Sequence, residues 1–186
     1  MRWNWATHVA TLLVCLGFVS TGCDSGDVGA PCVPEEEYLD DFSGFAANEV
    51  STESRSYQCE TRVCLINHFQ GRVTCPYGQT DGKDPERACN VPGTTRRVTA
   101  AVDPQLVKRR GDDAVYCSCR CKGPDKDARY CECPSGYQCE EVVPEVALGK
   151  RQLVGSYCVR EGTVYDRGQA AGAKCSADDG NCGERN

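Results

Sequence analysis

The chain predicts a small disulfide-rich fold, mainly β with irregular loops, in which short hairpins are stapled by up to seven disulfides. Three observations carry that expectation. Sixteen of the 186 residues are cysteine. Leu, Ile, Val and Phe make up only about 15% of residues 23–186, a fraction that by itself suits a disordered chain better than a packed one. The densest cysteine stretch also alternates: in "VYCSCRCK", residues 115–122, Val115, Cys117, Cys119 and Cys121 occupy one parity and Tyr116, Ser118, Arg120 and Lys122 the other. Strands send alternate side chains to opposite faces, so this reads as a half-buried strand with its sulfurs on one side. Cross-links then supply what the sparse aliphatic residues do not, each restricting the unfolded chain by roughly 2–4 kcal/mol.

Residues 1–22 contain the three parts of an export signal: Arg2 supplies charge, residues 9–19 an apolar run, and Ser20, Thr21 and Gly22 small residues ahead of a cleavage point. That run is too short to cross a bilayer as a helix, which takes about 20 residues. Thr21-Gly22-Cys23 resembles the lipobox of bacterial lipoproteins, in which a small residue precedes a cysteine that is acylated and becomes the new N-terminus; Ser20 stands where that family usually has Leu. The resemblance implies cleavage between Gly22 and Cys23 and a lipid on Cys23, and the alternative is ordinary signal cleavage with Cys23 free to pair. Parity favours the lipid, because losing Cys15 with the signal and Cys23 to acylation leaves an even fourteen cysteines. Two or three acyl chains would hold the protein on a membrane far more firmly than one.

Residues 23–31 read as a tether, the part after Cys23 reaching about 25 Å at full extension. Residues 34–42 are expected to form a short helix, since Pro34 and Glu35, Glu36 and Glu37 suit a helix start and Tyr38, Phe42 and Phe45 recur at helical spacing. The acids there suit a solvated helix end better than a cation site. Residues 62–68 and 71–75 read as two strands of a hairpin, with Cys59, Cys64 and Cys75 on or beside them. Residues 78–113, which include Cys89, form a polar loop region where 98–102 adds one strand. Within it Lys108-Arg109-Arg110, offset by Asp112 and Asp113, reads as a solvated loop. After turn chemistry at 122–125, Tyr130-Cys131-Glu132-Cys133 resumes the alternation until Pro134-Ser135-Gly136 ends it.

Tyr57-Gln58-Cys59-Glu60 recurs as Tyr137-Gln138-Cys139-Glu140, each copy followed by a glycine and a cysteine, Gly71 with Cys75 and Gly155 with Cys158. The pattern fits a duplicated stapled hairpin or chance equally well. Residues 32–165 are expected to form one stapled domain and 166–186 a tail in which Cys175 and Cys182 can close a local loop. Within residues 32–165, five cysteines (Cys32, Cys59, Cys64, Cys75, Cys89) precede residue 115 and seven (Cys117, Cys119, Cys121, Cys131, Cys133, Cys139, Cys158) follow it. Both sets are odd, so at least one bridge joins them. The pairing is otherwise open, since fourteen cysteines allow roughly a hundred thousand connectivities.

Staples are preferred to a metal cage because the chain contains no C-x-x-C and, after the signal, one histidine, His68. The same absence argues against a thioredoxin-like redox site. Residues 131–137 resemble the C-x-C-x-x-G-[FY] portion of an EGF-like module, but Cys139 follows Tyr137 after a single residue, too soon for that family, and its calcium binding is not carried over. No cofactor, metal ligand or catalytic residue is assigned. Residues 23–186 carry 20 Lys+Arg against 27 Asp+Glu, and this acidic balance argues against a nucleic-acid partner. From the lipobox through "GDVGAPCVPEEEY", "QCETRVCLINHFQGRVTCPYGQ" and "VYCSCRC" the chain resembles the cysteine-rich lipoproteins numerous in myxobacteria. That resemblance implies an envelope location and no activity.

The function expected is therefore a non-enzymatic binding or structural module, exported and lipid-anchored to a bacterial membrane on the periplasmic side or cell surface. Its partners are the membrane and an envelope protein or glycan. One alternative is a hydrolase using paired carboxylates, for which no G-x-S-x-G, H-E-x-x-H or phosphate loop is present but acids are plentiful. The other is a thiol- or metal-handling protein, which would need free thiols.

Overall fold

The computed structural model describes residues 27–81, 88–144, 153–163 and 172–182. The expectations for Cys15, Gly22 and Cys23 lie outside the described residues.

Val63-Cys64-Leu65-Ile66 is a continuous apolar run, the kind that suits a strand covered on both faces. It forms β2 (Val63–Asn67), the centre of an antiparallel sheet between β1 (Val50–Glu53) and β3 (Val115–Ser118). A second antiparallel sheet holds β4 (Arg120–Lys122), β5 (Tyr137–Val143) and β6 (Gly155–Arg160), with β6 in the middle. Leu65 and Tyr116 of the first sheet pack against Tyr157 and Val159 of the second, forming the core between the sheets. On the opposite face of the first sheet, Cys64, Ile66, Val115 and Cys117 pack with Cys32, Cys59, Phe69 and Val73. A third cluster, Cys75, Cys89, Val91, Val98 and Val102, lies under the loops.

Seven disulfides pair fourteen cysteines: Cys32–Cys64, Cys59–Cys117, Cys75–Cys89, Cys119–Cys131, Cys121–Cys139, Cys133–Cys158 and Cys175–Cys182. Cys59–Cys117 is the bridge that ties the odd set before residue 115 to the odd set after it. Each sheet also places two cysteines at facing positions, Cys64 opposite Cys117 and Cys139 opposite Cys158. Neither facing pair is bonded to itself. Three of these four sulfurs bond a cysteine outside the strands, fastening covering segments to the sheets, while Cys139 bonds Cys121 and so ties β5 to β4 across β6.

Several expectations are corrected. The stretch at 115–122 is not one half-buried strand: β3 is buried at all four residues, and the chain passes at Cys119 from the first sheet to the second. The cause is that both faces of β3 are covered, one by the Cys32 and Cys59 segments and the other by β6. The 62–68/71–75 hairpin does not form. His68 takes a left-handed φ of 52°, the chain leaves the sheet, and β2 pairs with β1 and β3 instead. Residues 71–75 make only isolated bridges, Phe45 with Gly71 and Arg72 with Cys75. Residues 98–102 and 130–133 form no strands; Val98 and Val102 are buried, but the Val98 N–H donates to the Cys89 carbonyl, Val102 exchanges backbone hydrogen bonds with Gln79 as an isolated bridge, and the Cys131 N–H donates to the Arg120 carbonyl.

The helix expected at 34–42 is a single 3₁₀ turn, Glu35–Tyr38, that buries Glu37 and leaves Tyr38 exposed. The two Tyr-Gln-Cys-Glu segments differ, the first lying in bends and turns and the second in β5, and their cysteines bond dissimilar partners. Duplication of a hairpin is not what they reflect. The tether is shorter than expected, because Gly29 and Ala30 exchange backbone hydrogen bonds with Cys117 and Pro31 bridges to Tyr116. A side chain at Gly29 would strike the Tyr137 hydroxyl, 2.1 Å from where its Cβ would stand. Finally, Arg109 is buried rather than solvated, donating to the carbonyls of Asn67, His68 and Thr163, and Gly111–Ala114 forms a helical turn, α1, after it.

Candidate functional site

Where strands are lacking, buried polar side chains take over the backbone's hydrogen bonds, as they must if those groups are not to be left dry and unpaired. Gln79 donates to the carbonyls of Val98 (3.0 Å) and Ala100 (2.6 Å) and accepts from the Cys89 N–H (2.8 Å). Gln105 donates to the Arg72 carbonyl (2.9 Å) and accepts from the Gly111 N–H (3.1 Å). Glu37 accepts from the Val73 and Thr74 N–H groups and the Thr74 hydroxyl. Beside it, Arg72 donates to the carbonyls of Glu37, Leu39 and Phe42. These residues fix loops that enclose a cleft.

The cleft has a volume of ≈ 820 Å³ and is bounded by residues 43–48, Gln70, 77–80 and 101–104. Two bridges pin its walls, Phe45 with Gly71 and Gln79 with Val102. Gly78 makes the second possible: at φ 64° its absent Cβ would lie 2.3 Å from the Val102 carbonyl oxygen. Tyr77, half-buried, lines this cleft and also a neighbouring one of ≈ 660 Å³ bounded by residues 74–78, 88–94 and Ala177. Gln70 anchors its amide on the Pro104 carbonyl (2.7 Å). Asp103, the carboxylate of the larger cleft, pairs with Lys174 at 2.8 Å. The cleft is thus fixed, nearly neutral, and mixed in polarity, with aromatic and amide groups at its wall.

Paired-carboxylate hydrolysis needs two acids in one cleft, and neither large cleft supplies a second among the described residues that line it. Glu53 has its carboxyl pushed up by burial, with Glu35 and Glu36 adding to the rise against a hydrogen bond from the Glu35 N–H, but it lines neither. His68 sits by a crevice of ≈ 150 Å³ with Glu140 and Glu141. Burial, joined by the Arg109 charge, holds its imidazole below the ordinary value in spite of the Ala47 carbonyl at 3.2 Å. That volume is below the roughly 300 Å³ at which small-molecule pockets begin.

The fourteen disulfide candidates of the sequence are all paired, and three groups of sulfurs lie within 4.8 Å of one another: Cys32, Cys59 and Cys117; Cys119, Cys131 and Cys158; Cys121, Cys133 and Cys139. Every member is in a disulfide, whereas metal ligation needs thiolates. Sequence reasoning missed the cleft, whose only linear signal is Tyr77-Gly78-Gln79, an aromatic and an amide flanking a glycine directly after Cys75-Pro76. Among the described residues no helix is long and apolar enough to cross a membrane. Seven disulfides suit an oxidising, exported environment. No protein family, curated protein or solved structure matches the chain.

Proposed function

We propose that this chain is a non-enzymatic binding module of a bacterial envelope, exported by residues 1–22, anchored through lipid on Cys23, and presenting the Tyr77 cleft to an envelope protein or glycan. The likeness of its sequence to cysteine-rich myxobacterial lipoproteins supports the location, as does the oxidising compartment that its disulfides need. The observation that carries the binding role is the cleft itself. Its walls are held by backbone bridges and by the side-chain amides of Gln70 and Gln79, so a ligand meets a surface already ordered and little loop entropy is lost on binding. Its volume falls in the range of small-ligand sites, about 300–1,000 Å³. With the docked segment at residues 29–31, only Asp24 to Val28 would separate the fold from the lipid.

Two measurements test this reading. Intact mass of protein isolated from its native membrane should equal residues 23–186 plus acyl groups; an unmodified Cys23 would remove the anchor. Immobilised protein should retain a component of the envelope, and Tyr77→Ala should cut that retention at least tenfold while leaving the fold intact. Equal retention by the variant would dismiss the cleft as the site.

A further inference from the structure

The two sheets carry sulfur clusters of similar construction but opposite exposure. Cys32, Cys59, Cys64 and Cys117, on the first sheet, are all at most 2% exposed. The second cluster stacks three disulfides, Cys121–Cys139, Cys133–Cys158 and Cys119–Cys131, and runs from solvent to core. Cys139 is exposed, Cys121, Cys131 and Cys133 are half-buried, and Cys119 and Cys158 are buried. Every other disulfide cysteine of the protein is buried. Among the described residues, it is therefore at this cluster that solvent reaches the cross-links.

Its sulfurs also form a connected path. Cys133 lies within 4.8 Å of Cys121 and Cys139, and its bonded partner Cys158 lies 3.6 Å from Cys119 and 3.8 Å from Cys131. The sequence explains the stacking: facing positions of β5 and β6 bring Cys139 and Cys158 together, and the C-x-C pairs at 119/121 and 131/133 each send one sulfur to the outer disulfides and one to the inner. Disulfides exchange when a thiolate attacks one sulfur and displaces the other, so neighbouring bonds at these distances can pass a break along.

We propose that the three stacked disulfides form a thiol–disulfide exchange relay, attacked from outside at Cys121–Cys139 by a low-molecular-weight thiol. The external thiolate bonds Cys139 Sγ, and the Cys121–Cys139 bond breaks with its electron pair on Cys121. The Cys121 thiolate bonds Cys133 and displaces Cys158; the Cys158 thiolate bonds Cys119 and displaces Cys131. The proton lost by the external thiol ends on Cys131. One mixed disulfide and one protein thiol result, the number of S–S bonds is unchanged, and no net oxidant or reductant is consumed. The protein thus captures a thiol covalently while keeping its buried cross-links closed.

The test is native protein treated with a limited amount of reduced glutathione, quenched with iodoacetamide and mapped by peptide mass spectrometry. Glutathione is expected on Cys139 and carbamidomethyl on Cys131, with Cys32, Cys59, Cys64 and Cys117 unlabelled. Alkylation confined to Cys121, or glutathione appearing first at any cysteine outside the cluster, would overturn the relay. The variant Cys133→Ser with Cys158→Ser removes the middle bond, and label on Cys131 should drop to background while glutathione still adds at Cys139. Undiminished label on Cys131 in that variant would equally reject the path. Should the variant not fold, the map of the unaltered protein decides alone.

Discussion

Glu37 and Arg72 are both fully buried, and their arrangement shows how single side chains replace missing secondary structure. Glu37 takes up the N–H groups of Val73 and Thr74 while Arg72 takes up the carbonyls of Leu39 and Phe42, so the 3₁₀ turn is laced onto the 71–75 segment without a strand between them. Burial raises the Glu37 carboxyl above 4.5, against the lowering influence of the Thr74 and Val73 hydrogen bonds and the Arg72 charge. The sign follows from linkage: between pH 4.5 and the raised folded value the unfolded chain has released a proton that the folded chain keeps, so this group's contribution to stability falls as pH rises through that window. Urea titrations at several pH values should show a shallower decline above pH 4.5 in Glu37→Gln than in the unaltered protein. Identical slopes would show that Glu37 does not titrate in the fold as described. Glu37 was legible in sequence only as one of three consecutive acids at a helix start, and Arg109 only as one of three consecutive basic residues. Their burial depends on the Val73 and Thr74 N–H groups for Glu37 and on the carbonyls of Asn67 and His68 for Arg109, partners that local sequence cannot bring near.

At the scale of elements, alternation identified β3 and β4 but not the sheet change between them. Periodicity reports which residues share a face; it is silent on whether a second layer covers the other face, and Tyr116 is buried only because Tyr157 and Val159 arrive from β6. β1, whose Val50-Ser51-Thr52-Glu53 is largely polar, exists because β2 offers it an edge. The 78–113 region was legible as a polar loop region, although the strand expected at 98–102 does not form, and its packing around Gln79 and Gln105 was not legible, since an amide substituting for a backbone partner leaves no periodic trace. Gly78 tests that packing. Gly78→Ala places a Cβ against the Val102 carbonyl and demands a left-handed conformation that costs a non-glycine residue about 1–2 kcal/mol. The expected outcome is faster hydrogen exchange at the Gln79 and Val102 amides, which donate to each other's carbonyls, and weaker retention of envelope ligand. Unchanged protection at both amides would mean that the wall of the cleft does not depend on this approach.

For the whole molecule the layers run from sulfur to sulfur: a sealed cluster, the first sheet, an inner core of tyrosine and aliphatic side chains, the second sheet, and an exposed-to-buried cluster. Odd cysteine counts on either side of residue 115 made a joining bridge legible, and Cys59–Cys117 fills that role, but its partners emerge only from three-dimensional proximity. Loop length ranks what each bridge contributes. Cys59–Cys117 closes a separation of 58 residues and Cys175–Cys182 one of 7. The chain-entropy relation gives about 4 kcal/mol for the first and about 2 kcal/mol for the second. Cys59→Ser with Cys117→Ser should therefore lose about twice the unfolding free energy of Cys175→Ser with Cys182→Ser, read from denaturant midpoints with the remaining bridges intact. The short loop is further anchored without its disulfide, since Cys175 donates to the Gln105 carbonyl and Val107 to that of Ala173, which widens the expected gap. Equal losses would show that the two halves hold together through the tyrosine core alone, and that the joining bridge follows the fold rather than securing it.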